Sequence, residues 1–269
     1  MIFASDLDRT LIYSSRFIAD GGRHYRVEVG DYASYMTERA AALLQIIADR
    51  LIFVPCTTRT VEQYRRVTFV TDLQPKYAVT SNGGNLLIDG QLDQSYHQEI
   101  LLKLRDCAPS ADIIKEFNRI VSDAWVIKMK EAEGLFYYCL VDRPALPEPE
   151  LAQFTSWAAT QNWEISLQGH KLYLVPKVIN KWAPIAKIMA ITGETEVYTA
   201  GDSLLDLPLL TATPHHLCPR HGEVFQCYQQ QFKGEKINFT RSEGLKAGEE
   251  VLETVLRWSA DQSTLCFES

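Results

Sequence analysis

Three short apolar runs end in the same way, and this constrains the fold more than anything else in the chain. MIFAS (1–5), LIFVP (51–55) and TEVYTA (195–200) are too short for helices, and each passes straight into polar residues. A brief unbroken apolar run of this kind marks a strand buried on both faces. KYAVTS (76–81) reads the same way, more weakly. Helical patterns lie between the runs. In MTERAAALLQIIADR (36–50), Met36, Ala40, Leu43, Leu44 and Ile47 fall on one helical face. Thr60 with Gln63 forms a capping box for a helix running towards Phe69. Asn180 is placed to cap a helix from Lys181 to about Ile191, with Gly193 as its stop, and a last helix is expected between Gly248 and Trp258. Buried strands alternating with amphipathic helices predict a Rossmann-like α/β core, a parallel sheet covered on both faces.

The middle of the chain changes character. After TSNGGNLL comes a helical pair, near 98–106 and 111–122. AWVIKMK and LFYYCLVD then read as a hairpin turned by EAEG, followed by a helix over 148–161 and a second hairpin, WEISL and HKLYLVP, around QG. Helices grouped with antiparallel hairpins are an α+β pattern. The expectation is a smaller α+β domain over 86–173 inserted into a core of 1–85 and 174–269, with DRPALPEPE (142–150) as an internal loop. A length of 269 residues is near the size at which one core gives way to two.

The residues that leave each buried run carry the chemistry. Asp6 and Asp8 leave the first, and ligands of open α/β sheets bind beyond the carboxyl ends of the strands. Two carboxylates on one tight strand exit need a cation or solvent, because burying unpaired charge costs too much. Mg²⁺ is the natural partner, being held by one or two carboxylates together with substrate phosphate. LIFVP runs into Cys56, Thr57, Thr58 and Arg59, KYAVTS into Asn82-Gly83-Gly84, and TEVYTA into Gly201-Asp202-Ser203 with Asp206 beyond. Lys181 opens a helix, where charge and backbone N–H groups favour an anion. Acids, hydroxyls and one lysine at one sheet edge make a site for a metal-bound phosphate.

Acidic residues outnumber basic ones by 34 to 27, and no basic stripe stands out, which argues against duplex nucleic acid as a partner. No run reaches the ~18 apolar residues of a membrane span. MIFASDLDRT lacks the basic and apolar segments of a signal peptide. Cys56, Cys107, Cys139, Cys218, Cys227 and Cys266 form no C-x-x-C pair, so reduced thiols and a cytoplasmic location are expected.

The ordered set Asp6-Leu7-Asp8-Arg9-Thr10, Thr57, Lys181 and Gly201-Asp202-Ser203-Leu204-Leu205-Asp206 resembles the haloacid dehalogenase (HAD) superfamily of phosphatases. The insertion, with SNGGNL and LYLVPKVINKW, is similar to the cap of its Cof-like and sucrose-phosphatase-like branch. The resemblance implies that Asp6 attacks phosphorus to give an aspartyl-phosphate, and that Asp8 serves as acid and then base. It implies Mg²⁺ on Asp6, Asp202 and the backbone carbonyl of Asp8, with Ser203 and Asp206 orienting that shell. Thr57 and Lys181 would hold phosphoryl oxygens. Thr58, Arg59 and Asn82 lie where substrate contacts are expected. A phosphate monoester, with a sugar or polyol phosphate favoured, is the expected small-molecule partner. A phosphomutase, or a phosphometabolite sensor without turnover, remain alternatives.

Two positions depart from the family pattern: Arg9 where Gly is common, and Leu205 where Asn is common. The segment from Tyr13 to Tyr35 is long for a strand-to-helix link, and HYRVEV (24–29) reads as an extra strand, either a flap by the site or a surface hairpin. His215, His216, Cys218 and His221 fit no strong zinc spacing. Trp125, Tyr137, Tyr138, Trp157 and Trp163 read as core before sugar-binding face. Cys56 has no paired His and reads as a buried thiol.

Overall fold

The computed structural model describes residues 1–18, 24–30, 33–231 and 236–265. The chain divides into two compact units, Met1–Asp93 with Lys181–Ser269, and Gln94–Asn180. The first unit opens with β1 (Ile2–Ser5), β2 (Tyr13–Ser14), β3 (His24–Arg26), β4 (Ser34–Thr37) and α1 (Glu38–Arg50). It continues through β5 (Ile52–Pro55), α2 (Val61–Arg65), α3 (Thr68–Asp72), β6 (Tyr77–Thr80), β7 (Asn85–Ile88) and β8 (Gln91–Leu92). The second unit holds α4 (Gln94–Lys103), α5 (Ser110–Phe117), β9 (Val126–Ala132), β10 (Phe136–Val141), α6 (Glu148–Thr160), β11 (Trp163–Gln168) and β12 (Lys171–Pro176). The chain returns to the first unit with α7 (Trp182–Thr192), β13 (Val197–Ala200), α8 (Leu207–Leu210), β14 (His216–Leu217), α9 (Glu223–Gln231) and α10 (Leu245–Leu265).

In the first unit the three apolar runs form one parallel sheet, in the order β14-β13-β1-β5. Its register sets Ser5 opposite both Ala200 and Pro55. Asp6, Gly201 and Cys56 therefore leave the sheet in one row. β6 joins this edge through a parallel bridge from Cys56 to Val79, and otherwise pairs antiparallel with β7. β2, β4 and β3 make a small antiparallel sheet of their own.

Helix α1 starts where Thr37 Oγ1 accepts the Ala40 N–H at 3.0 Å, and it buries Ala40, Leu44 and Ile47. Met36 belongs to β4 rather than to the helix. The buried face meets Val251, Leu252 and Val255 of α10 in one core that also takes Phe3, Phe53 and Tyr198. Each fully buried Leu, Ile or Phe contributes roughly 1.5–3 kcal/mol to such a core.

Several element boundaries differ from the sequence reading. The capping box of Thr60 and Gln63 is present, but its helix stops at Arg65. Val67 leaves helical dihedrals (φ −81°, ψ 72°) to turn fully into the core, and α3 begins anew after it. Lys181 occupies the N-cap position with no side-chain cap, because its ammonium reaches away to the carboxylate of Asp6. Gly193 does stop the helix, in the left-handed conformation at φ 73°. α10 runs well beyond both expected ends.

In the second unit β11-β12-β10-β9 form an antiparallel sheet. The first hairpin turns at Glu133-Gly134, both at positive φ, and the second at Gly169. Ile113 and Phe117 of α5 and Phe154 and Ala158 of α6 pack with Cys139, Leu172 and Leu174 of the sheet. Trp125 and Trp163 lie in this core, their indole N–H groups donating to Ile120 O and Ala108 O at 2.9 Å. Tyr137 and Trp157 pack against it, whereas Tyr138 pairs with Tyr173, ring centroids 6.0 Å apart.

The unit borders fall at Asp93 and Asn180, not at 85 and 173. β7 and β8 pair back onto β6, keeping the chain in the first unit. β12 extends to Pro176 along β11, and the Lys177 N–H donates to Asn162 O, keeping that stretch in the second. Among the described residues no helix is long and apolar enough to cross a membrane.

Candidate active site

The row of strand exits in the first unit gathers the charged residues. The Asp6 N–H donates to Ala200 O at 2.9 Å, continuing the sheet by one residue. Asp6 Oδ1 accepts from Lys181 Nζ at 2.6 Å and Oδ2 from Thr10 Oγ1 at 3.2 Å. Lys181, with no exposed surface, also donates to Asp206 Oδ1 at 2.6 Å. The other oxygen of Asp206 takes Ser203 Oγ at 2.7 Å, Ser203 N–H at 2.9 Å and Asp202 N–H at 3.1 Å. Asp206 is thus an anchor with both oxygens engaged. Gly201 is required beside it, because a Cβ there would stand 2.4 Å from Asp206 Cβ. Leu205 is buried and takes no part in this bonding.

Charge at the site is unbalanced. One oxygen from each of Asp6, Asp202 and Asp206 lies within 4.8 Å of the others, and all three residues are buried. Burial pushes the Asp6 carboxyl up to about 7. Lys181 pulls the other way, and the charges of Asp206 and Asp8 add to the rise. Asp202 is held well above the ordinary carboxyl range, first by burial and then by Asp6. For Lys181, burial alone would lower the ammonium. Asp206 and Asp6 outweigh it and keep the lysine charged. Three carboxylates crowded against one ammonium and one guanidinium, Arg9 Nε lying 3.4 Å from Asp202 Oδ2, suit a hard divalent cation. The free oxygen capacity belongs to Asp6 and Asp202, since Asp206 is spent on Lys181 and Ser203.

Asp8 lies apart from this cluster. Its carboxylate is gripped by the Arg59 fork, Nε to Oδ2 at 2.7 Å and Nη2 to Oδ1 at 2.8 Å. The same guanidinium binds Glu28, Nη1 to Oε1 at 2.7 Å, and Glu28 Oε2 accepts from Ser34 Oγ at 2.6 Å. Arg59, expected as a substrate contact, is therefore occupied by two carboxylates. Glu28 is the site residue the sequence reading missed. The HYRVEV segment carries it beside the site, and an acid between two valines in a strand-like stretch was the available signal. The Glu28 side chain is only 2% exposed, against 44% for Asp8. Arg59→Met would leave it buried without a counter-charge, a loss of about 3–5 kcal/mol. Urea denaturation should show that loss, and adding Glu28→Gln should restore part of it.

Thr57 is fully buried, and its Oγ1 accepts the Arg59 N–H at 3.1 Å. The turns after β5 and β6 are stitched together, Asn82 N–H to Thr57 O at 2.9 Å and Ser81 N–H to Arg59 O at 2.7 Å. Asn82 is buried in a left-handed turn at φ 57°, and Thr58 is half-buried in the neighbouring loop. Thr57, Thr58, Arg59 and Asn82 thus share one corner of the first unit.

The histidines and cysteines have other employment. His216 Nδ1 donates to Thr213 O at 2.7 Å and its Nε2 accepts the Asn238 N–H at 3.2 Å. His215 packs on Tyr198 and Trp258. Among the described residues the one cluster with metal-binding spacing is the aspartate trio. Cys56 is buried with its thiol pushed up by that burial, which unsuits it as a nucleophile. Cys266 lies outside the described residues.

No family model matches the chain, and no curated protein matches it in sequence. Solved structures do. The sucrose-phosphatase of Synechocystis sp. PCC6803, solved with sucrose and phosphate, superposes with a TM-score of 0.68 at 17% identity, over 96% of this chain and 98% of that one. A HAD subclass IIB sugar phosphatase gives 0.57 at 13% identity, over 96% and 98%. A trehalose-6-phosphate phosphatase related protein gives 0.54 at 16%, over 97% and 100%. The chain shares its fold with these structures. The parallel core and the inserted α+β unit are the two parts of that fold expected from the sequence. At such identities the likeness concerns the fold alone, and a chemical reading has to stand on Asp6, Asp8, Lys181 and Asp202 and their partners.

Proposed function

We propose that the protein is a Mg²⁺-dependent phosphatase acting on a small phosphorylated metabolite, with sugar and polyol phosphates first. The observation that carries this is Asp6: a buried carboxylate at a strand exit, oriented by Lys181 and facing Asp202. Asp6 attacks phosphorus in line, the ester P–O bond breaks, and the departing alkoxide takes a proton from Asp8. Water then attacks the aspartyl-phosphate and gives its proton to Asp8, releasing inorganic phosphate and restoring the Asp6 carboxylate.

The Arg59 fork donates to both oxygens of Asp8, an arrangement that suits the carboxylate form used in the second half of this cycle. The first half needs it protonated, and Glu28 offers the guanidinium another acceptor. Lys181 and Thr57 stabilise the phosphoryl oxygens as charge develops. Asp6, Asp202 and the Asp8 carbonyl would hold Mg²⁺, which when bound neutralises phosphate charge. Ser203 and Asp206 support that set through Lys181 and the backbone of Asp202. The named activities of the structural neighbours favour sugar phosphates, and the buried, unpaired cysteines suit a reducing cytoplasm.

The test is phosphate release from a panel of sugar, polyol, glycerate and nucleotide monophosphates, with Mg²⁺ and with excess chelator. Release from at least one sugar or polyol phosphate is expected, falling to background on chelation and returning with added Mg²⁺. An isomeric phosphate in place of free phosphate would make the protein a mutase. Saturable binding without any turnover would make it a sensor.

A further inference from the structure

Arg9 stands where the family commonly has Gly, and its surroundings explain how the fold accommodates it. It holds a left-handed backbone at φ 63°, which a non-glycine residue adopts at a cost. Several contacts keep it there. Its N–H donates to Ile12 O at 2.7 Å, and Nη2 donates to His221 O at 2.8 Å. His221 Nε2 donates back to Arg9 O at 2.8 Å, while its Nδ1 accepts the Gly244 N–H at 3.0 Å. The guanidinium carbon lies 5.7 Å from the centre of the Phe17 ring. A long, ordinarily mobile side chain is fixed at its base and at its tip.

The Nε of the guanidinium has no such partner. It is buried and makes no hydrogen bond, and it lies 3.4 Å from Asp202 Oδ2. No other cation pairs with Asp202 at that range among the described residues, Lys181 being bonded to Asp6 and Asp206. The fold therefore holds a positive charge against one of the two carboxylates with capacity left for a metal.

We propose that Arg9 is a built-in counter-ion of Asp202 that competes with the divalent cation and sets the metal affinity of the site low. This rests on the reading of Asp202 as a metal ligand. A guanidinium and a dication cannot both draw fully on one carboxylate, and at short range in a partly buried setting their mutual repulsion is strong. Metal-free protein gains, since Asp202 is not left buried without compensation. Metal-loaded protein loses by the same interaction. A phosphate group entering the site brings negative charge that offsets the excess, so metal binding is tied to substrate binding.

The experiment is calorimetric titration of Mg²⁺ into the full chain at fixed ionic strength, with no substrate. It compares the parent with Arg9→Gly, Arg9→Asn, Arg9→Lys and Asp202→Asn. Glycine and asparagine both accept the left-handed backbone, so both remove charge without adding strain. Each is expected to lower the Mg²⁺ dissociation constant about tenfold or more, with Arg9→Lys staying near the parent. Unchanged affinity in both neutral variants overturns the proposal and leaves the metal reading standing, provided Asp202→Asn binds more weakly. Tightening in Arg9→Gly but not in Arg9→Asn also overturns it, because loop conformation and not charge would then set the affinity. If Asp202→Asn binds as the parent does, or no protein binds, the metal reading fails and the proposal falls with it.

Discussion

Lys181→Met is expected to destabilise the first unit by about 3–5 kcal/mol, the penalty typical of removing one partner from a buried ion pair. The ammonium has no exposed surface and bridges Asp6 and Asp206 at 2.6 Å each. Methionine fills most of the volume and supplies none of the charge, leaving adjacent carboxylates in a buried setting. The measurement is the urea midpoint of metal-free protein, followed by a probe of the parallel-sheet unit such as fluorescence of Trp258. Asp206→Asn in the same background should recover part of the loss, because it removes one of the stranded charges. A midpoint shift worth under about 1 kcal/mol would mean the carboxylates find protons or solvent more cheaply than their burial implies.

The second large effect concerns rate. Asp6→Asn keeps the shape of the side chain and an oxygen that can still accept from Lys181, so the fold should persist. It removes the proposed nucleophile, and phosphate release is expected to fall by about 10⁴-fold or more, as when enzymes lose their attacking group. Stability should hold or rise, since Asp6 is a buried acid crowded by Asp206 and Asp8. Release is read as inorganic phosphate under saturating substrate and Mg²⁺, and trapping of phosphate on the protein by acid quench should disappear with it. A variant retaining a tenth of the parent rate would show that some other group attacks phosphorus.

What could be read from the chain depended on how local each signal was. The strand exits at Asp6, Thr57 and Gly201-Asp202 were legible because each apolar run meets a charged or hydroxyl residue within two positions of its end, and parallel register aligns such stops without further information. Both hairpins of the second unit were legible from period-two patterns and from glycine at the turns. Glu28 was not, because its burial depends on Arg59, which lies 31 residues further along and is itself shared with Asp8. The break at Val67 was hidden for a similar reason: the valine turns into a core assembled from distant elements. In each case a tertiary partner overrode a sound local preference.

The discontinuity of the first unit has a consequence for the order in which a nascent chain can assemble its buried aspartate cluster. Asp6 is synthesised 175 positions ahead of its lysine. Until then β1 has only β5 beside it in the parallel sheet, and the slot that β13 will fill stays open. The inserted unit suffers no such delay, because all four strands of its sheet are contiguous in sequence and are finished before Lys181 is added. The inserted unit can therefore close its sheet while the acidic strand exit still waits in water, where its carboxylates are comfortably solvated. The cluster of Asp6, Lys181, Asp202 and Asp206 is complete only once the last of them has been made.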